Sequence, residues 1–260
     1  MPGDAEFTIT VLNLNGNMSH EEVEALRERI AAHPAVAAQA RWTNLQQTIG
    51  IVFGNGAELK EYIARREATA KPLAPHSVEA QVFNTNVLRL LMNFVSSAMT
   101  LVDHTRNLLR KYEGGAFWSE YELKKSKMIA APVTMYVKTL RNYMLHRGNP
   151  VVATTFSLDA HERTLRVVVD SKDVLAWDKC PAGAKPYLAE HPVVQVREAI
   201  EEYEELLDNL YRWVLDQYPA LHGAEMADFN DLIRRRESAY SPVGEFELDT
   251  GEGQSFSMTT

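Results

Sequence analysis

The chain has 260 residues, 45% of them hydrophobic and 24% charged, ordinary proportions for a globular protein with one large domain or a core and an appendage. A net charge of −8 argues against non-specific nucleic-acid binding over the whole surface, and the single Cys180 excludes an internal disulfide or a cysteine-held zinc. Charges interrupt the apolar stretches short of the ~20 residues a membrane span needs, and residues 1–6 are polar and acidic, unlike a secretory leader, so a cytoplasmic protein without membrane association is expected.

Residues 1–72 read as a small α+β region. Residues 7–12, rich in strand formers, predict a strand. Ser19 and Glu22 stand three apart as a capping box, so a helix is expected over 21–32. The β-branched and aromatic run at 47–53 predicts a second strand, and 57–68 a second helix. Pro72 and Pro75 discourage helix and mark the expected boundary.

A helical domain is expected over 73–237. Phe83, Val87, Leu90, Leu91, Phe94, Ala98, Leu101, Leu108 and Tyr112 recur near a period of 3.6, predicting one long helix over 77–113 that Gly114 and Gly115 end. A second long helix is predicted over 119–147, with Met128, Ala131, Met135, Leu140 and Met144 inward and a kink at Pro132. Gly148 and Pro150 stop it. Two long helices joined by a short loop should form an antiparallel hairpin. A β-hairpin follows over about 151–169, turning at 159–162, and then an irregular stretch around Pro181, Gly183 and Pro186. From Pro192 onward, Val193, Val196, Ile200, Tyr203, Leu207, Leu210 and Val214 make one apolar stripe of a long helix whose acids face elsewhere. A shorter helix is expected over 225–237, and the Gly-, Ser- and Thr-rich residues 238–260 read as a disordered tail.

Charge is unevenly spread. Residues 103–147 carry nine Lys and Arg against four acids, a local charge of +5 that leaves −13 for the rest of the chain. Such a segment either faces phosphate or pairs with the acidic run 198–208 of the same fold. Within it, Asn142 and His146 stand four apart and share a helix face, while Arg141 is long enough to reach the same place. A cation, an orienting amide and an imidazole are what cleavage of an RNA phosphodiester requires. A base takes the 2′-hydroxyl proton, the cation steadies the phosphorane, and an acid protonates the leaving oxygen.

The pattern Arg141-Asn142-x-x-x-His146 resembles the motif of the HEPN superfamily, Arg followed by four to six residues and His, with a polar residue directly after the Arg. The resemblance covers roughly residues 83–218. It implies a mainly α, HEPN-like helical bundle built on the long antiparallel hairpin. Many HEPN domains are metal-independent endoribonucleases of toxin–antitoxin, abortive-infection and CRISPR systems, and others are non-catalytic. In catalytic members the Arg–His motifs of two domains meet across a dimer interface. Carried over, Arg141 stabilises the transition state, His146 transfers protons, and Asn142 orients the substrate or His146. Lys138, Tyr143 and Arg147 become substrate-binding candidates, with no metal or cofactor. RNA, a second copy, and an antitoxin or regulatory protein are the implied partners. The alternative is a non-catalytic interaction or nucleotide-sensing module of the same type, and His146 then serves only to cap the end of its helix.

Other candidates carry less. Asp103, His104, Arg106 and Arg110 form a second polar cluster. In one long hairpin it lies too far from His146 to meet it within a chain, so a solvated ion-pair network is the simpler reading. Arg27 and His33 also fit the Arg–His spacing, without the Asn. Arg234, Arg235 and Arg236 fit a solvated helix end, and Cys180 has no neighbouring base. Gly54-Asn55-Gly56 lacks the Lys-Ser/Thr ending of a phosphate loop, and no His pair has metal-ligand spacing.

Overall fold

The computed structural model describes residues 7–14, 18–158 and 163–248. The elements run β1 (Phe7–Leu14), α1 (His20–Ala31), α2 (Pro34–Glu67), α3 (Val78–Leu109), a 3-10 turn (Arg110–Tyr112), α4 (Ala116–Ala130) and α5 (Pro132–His146). Then follow β2 (Val152–Leu158), β3 (Arg163–Asp170), α6 (Lys172–Leu175), α7 (Lys185–Glu190), β4 (Val193–Gln195), α8 (Val196–Leu221), α9 (Gly223–Glu237) and β5 (Tyr240–Leu248). The protein is mainly helical. Two compact units make it up, Met1–Gln39 with His222–Thr260, and Ala40–Leu221. This division differs from the boundary expected near residue 72, because the helices on either side of Pro72 and Pro75 share one core.

In the first unit, β1 and β5 pair antiparallel, with a register shift between Val11 and Leu12. Residues 240–248, expected to be part of a disordered tail, are therefore a strand; residues 249–260 lie outside the described part. The capping box on α1 is present, Ser19 N donating to Glu22 Oε2 at 2.7 Å and Glu22 N to Ser19 Oγ at 3.2 Å. Leu26 and Ile30 of α1 pack on Leu232 of α9. Arg27 pairs with Glu24 in its own helix, and His33 Nε2 lies 3.1 Å from Asp228 Oδ2 of α9, so both residues of the second Arg–His spacing have carboxylate neighbours.

The second unit holds the large core. The expected strand at 47–53 is helix, part of the 34-residue α2. Its β-branched run suggested period 2, yet the buried positions are Leu45, Thr48, Val52, Gly56, Leu59 and Ile63, spaced by three and four. Gly56 is where α8 comes close. A Cβ there would lie 1.9 Å from Glu204 Oε1 and 3.1 Å from the Phe94 ring. Beside it, Lys60 donates to the other oxygen of Glu204, which is buried. α3 buries every residue of its expected stripe except the half-buried Tyr112. By length and composition α3 with the turn after it, at a mean hydropathy of 1.2, is also the one described segment that passes for a membrane span, although its apolar face is packed in this core.

The predicted second long helix is two helices. Ala131 sits between them in an extended conformation, φ −66° and ψ 131°, and Pro132 opens α5. A proline disfavours helical backbone in the residue before it and suits the first turn of the next helix, so the expected kink is a full break. α5 packs on α3, α4 and α8, and α4 packs on α8, so no simple two-helix hairpin forms. The β-hairpin strands are as expected, while the turn at 159–162 lies outside the described residues. β4 adds a third, antiparallel strand to give the order β2-β3-β4. Val193, expected on the helix stripe, is on that strand and exposed.

Removing one partner of a buried ion pair leaves the other charge uncompensated, at a cost of about 3 kcal/mol. Lys60→Met is therefore expected to lower the unfolding free energy by about that amount in a denaturant titration, whereas the exposed pair Arg65–Glu61 should contribute under about 1 kcal/mol.

Candidate functional site

α5 carries the site because most of its surface is covered. Val133, Thr134, Tyr136, Val137, Thr139, Leu140, Tyr143 and Met144 are all buried. Lys138, Arg141 and Asn142 are not, and with the buried Thr134, at spacings of four, three and one, they form one stripe. They line a cavity of about 330 Å³ between α3, α4, α5 and α8. α3 supplies Met99, Val102, Asp103 and Arg106; α4 supplies Tyr121, Lys125, Met128 and Ile129; α8 supplies Tyr203, Leu210 and Tyr211. His146, expected to lie too far from Asp103 and Arg106, is outside this cavity, while those two residues share it with Arg141 in one chain. The break at Ala131 is the reason, since it lays α5 alongside α3 instead of carrying it away.

Four cations and one carboxylate stand on this wall. Arg106 pairs with Asp103 at 3.0 Å, and Lys125 pairs with Glu122 while its Nζ lies 5.3 Å from the Tyr121 ring centroid. Among the described residues Lys138 and Arg141 have no carboxylate partner. Arg141 Nη1 donates to Asn142 Oδ1 at 3.1 Å, which holds the guanidinium beside the amide. Arg141 Nε, Thr134 Oγ1 and Tyr203 Oη are buried without a hydrogen-bond partner among the described residues. Buried polar groups left unpaired are uncommon, and together around one cavity they fit a ligand that supplies the missing partners. The arrangement can hold an anion by charge-assisted hydrogen bonds while apolar and aromatic side chains cover the rest of a small ligand.

The other expected site residues lie elsewhere. His146 is exposed at the last residue of α5, about 6 Å along the axis beyond Asn142 and outside the cavity. Arg147 is exposed just past the helix. Tyr143 is buried, its ring edge-on to Trp177 with centroids 5.7 Å apart, so it serves the core. Arg110 pairs with Glu113 at 4.0 Å on the surface. His104 lines a separate, shallow groove with Arg41, Asn44 and Asn107. Thr48 Oγ1 donates to Asn44 O at 2.8 Å, so it accepts from His104 Nδ1 at 2.9 Å, which places the proton of a neutral imidazole on Nδ1. Cys180 is buried, and burial pushes its thiol pKa up, away from nucleophilic use. Arg234 pairs with Asp231 in its own helix. Among the described residues no group of three His, Cys, Asp or Glu side chains is gathered as a metal site.

Thr134, Lys125, Tyr121, Tyr203 and Tyr211 went unremarked as site residues in the sequence. Lys125 falls in the basic run and Tyr203 on the apolar stripe of α8, and neither signal says which residues face a common space. Comparison of the chain with family models, curated proteins and solved structures finds no match. The functional reading therefore rests on the cavity.

Burial, with Glu122 nearby, pushes the Tyr121 phenol up to about 12, against the partly compensating Arg106. Burial likewise raises Tyr203 and Tyr211. An unfolded tyrosine ionises near 10, so the unfolded chain loses these protons first as pH rises. Stability should be intact below about pH 10 and fall between about 10 and 12. An absorbance titration of tyrosinate should show Tyr121 ionising near 12, above the value of about 10 of an unfolded tyrosine; ionisation near 10 in the folded protein would contradict this burial.

Proposed function

We propose that this protein is a HEPN-like module that recognises a phosphate-bearing ligand, a nucleotide or a ribonucleotide chain, in the cavity centred on Arg141. The observation that carries this reading is the pair of cations, Lys138 and Arg141, that have no carboxylate partner among the described residues, with Arg141 Nε buried and unpartnered among them. Guanidinium and ammonium groups without acid partners among the described residues, in a chain of net charge −8, are suited to an anion, and phosphate, like carboxylate, has oxygens that fit the planar donors of an arginine. Recognition of this kind needs no group from outside the chain, whereas the imidazole of His146 is not at the cavity. A single copy is thus read as a binding module. Its setting in a defence, toxin or phage-related system, with an antitoxin or regulatory partner in the cytoplasm, belongs to the same proposal and follows from the resemblance alone.

One observation favours a second reading, a metal-independent endoribonuclease working as a homodimer. His146 is exposed, within about 40° of Asn142 around the helix, and has no hydrogen-bond partner among the described residues. An imidazole can both accept and donate a proton, and a second copy could bring its own cavity to it.

Calorimetry at low salt with a short single-stranded RNA and with nucleotides tests both. Arg141→Ala is expected to weaken binding at least tenfold with an unchanged melting temperature, and to lower the slope of log affinity against log salt for RNA by about one. No binding to either, or binding indifferent to Arg141, would refute the first reading. For the second, RNA cleavage in EDTA should be lost in His146→Ala while affinity is retained; a wild-type protein that binds without cleaving leaves the binding module as the function.

A further inference from the structure

α2 and α3 run antiparallel, since Thr48 meets His104, Asn55 meets Ser97 and Arg66 meets Glu79 along them. At the His104 end of this pair lies a groove of about 390 Å³ that shares no residue with the cavity at Arg141. Arg41, Asn44 and Leu45 of α2 and His104, Asn107 and Leu108 of α3 line it, and no acidic side chain does. Among the described residues Arg41 has no carboxylate partner, and the side-chain amides of Asn44 and Asn107 have no hydrogen bond. The groove therefore carries one permanent positive charge, unbalanced from within.

His104 is held in one orientation. The Thr48 hydroxyl gives its proton to Asn44 O at 2.8 Å and accepts from His104 Nδ1 at 2.9 Å. A neutral imidazole fixed in this way keeps its lone pair on Nε2. Thr48 is buried and forms no part of the groove wall, so Nε2 is the ring nitrogen left to the groove. It has no partner among the described residues.

A ligand must match a guanidinium, a lone pair and two amides over an apolar floor. A carboxylate meets the two-pronged donors of Arg41 and balances its single charge. A phosphate dianion would instead press a second negative charge on the Nε2 lone pair. A hydroxyl on the same molecule donates to Nε2 and accepts from an Asn amide. An ammonium in its place would stand near Arg41 with no acid to offset it. Leu45 and Leu108 cover a short hydrocarbon part.

We propose that this groove binds a small aliphatic hydroxycarboxylate, with Arg41 holding the carboxylate and His104 Nε2 accepting from the hydroxyl. Thr48 is a positioning residue, which sets the tautomer and touches no ligand. The site is independent of the anion-binding reading of the cavity at Arg141.

The test titrates the full chain with butyrate, α-hydroxybutyrate, β-hydroxybutyrate, α-aminobutyrate and inorganic phosphate, followed by NMR of the backbone amides and the imidazole nitrogens. One hydroxybutyrate should bind about fivefold more tightly than butyrate, one hydrogen bond's worth, and neither α-aminobutyrate nor phosphate should exceed butyrate. Arg41→Gln, a change at an exposed residue, should weaken every carboxylate about tenfold. His104→Phe should erase the preference for the hydroxyl and spare butyrate. Arg141→Gln should change none of these affinities. In the free protein the neutral His104 ring should carry its proton on Nδ1, and the preferred hydroxybutyrate should shift the Nε2 resonance where butyrate does not. These spectra need no variant, so they decide the point even if His104→Phe fails to fold. Thr48→Val should mix the two tautomers and reduce the preference, whereas a merely structural Thr48 would leave the tautomer unchanged. Equal binding of butyrate and both hydroxybutyrates, tighter binding of phosphate, a proton on Nε2, carboxylate binding indifferent to Arg41, or no binding at all overturns the proposal and leaves the cavity at Arg141 untouched.

Discussion

The peptide joining Ala131 to Pro132 fixes where the polar residues of α5 can go. Proline has no N–H to continue the hydrogen-bond ladder of α4, and its ring forces the preceding residue out of helical backbone, so Ala131 takes ψ 131° and the chain changes direction. At the first position of a new helix the same residue costs nothing, because that N–H would be unpaired anyway. An unbroken helix over 119–147 would place Arg141 about 30 Å from its start. Broken, it returns α5 to the flanks of α3 and α8, and Arg141 comes to the same space as Asp103 and Arg106.

Burial then decides which residues of α5 remain available. Eight of its fifteen residues are taken by the core, including Tyr143 against Trp177. The polar residues left are Lys138, Arg141 and Asn142, which face the cavity, and the exposed His146 at the end of the helix. The carboxylates of α8 do not neutralise the cavity. Glu201 lies near Arg197, Asp208 near Arg212, and Glu204 is held by Lys60 of α2, so the helix turns its acids outward or toward α2 and its tyrosines inward. A positive cavity in an acidic protein follows from that division of faces.

The distance between Asn142 and His146 has a chemical consequence. Both lie on one side of α5, but the helix ends at His146, so the imidazole stands in solvent while the amide is drawn into the cavity by Arg141. The amide and the imidazole are thus separated within one chain. A site using both must bring a second surface to the end of α5, and a site using only the cavity is complete with the residues α3, α4, α5 and α8 supply.

The amino-acid sequence by itself determined the periodic elements: α3 through its apolar stripe, α8 through spacings of three and four, α1 through Ser19 and Glu22, and the strands of the hairpin after Pro150. These are local signals, set by backbone geometry and the side chains within a turn or two. It misled at residues 47–53, where β-branched residues sit inside a helix because packing against α3 and α8 outweighs their preference for strand. It named Arg141, Asn142, Lys138, Asp103 and Arg106 as candidates but could not assemble them, since that required knowing that the proline break returns α5 to α3. Only the tertiary structure decided that Tyr143 is core, that His146 stands apart, and that Tyr203 and Thr134 line one cavity. Which faces of separate helices come together is a property of their packing, and packing depends on the whole core at once.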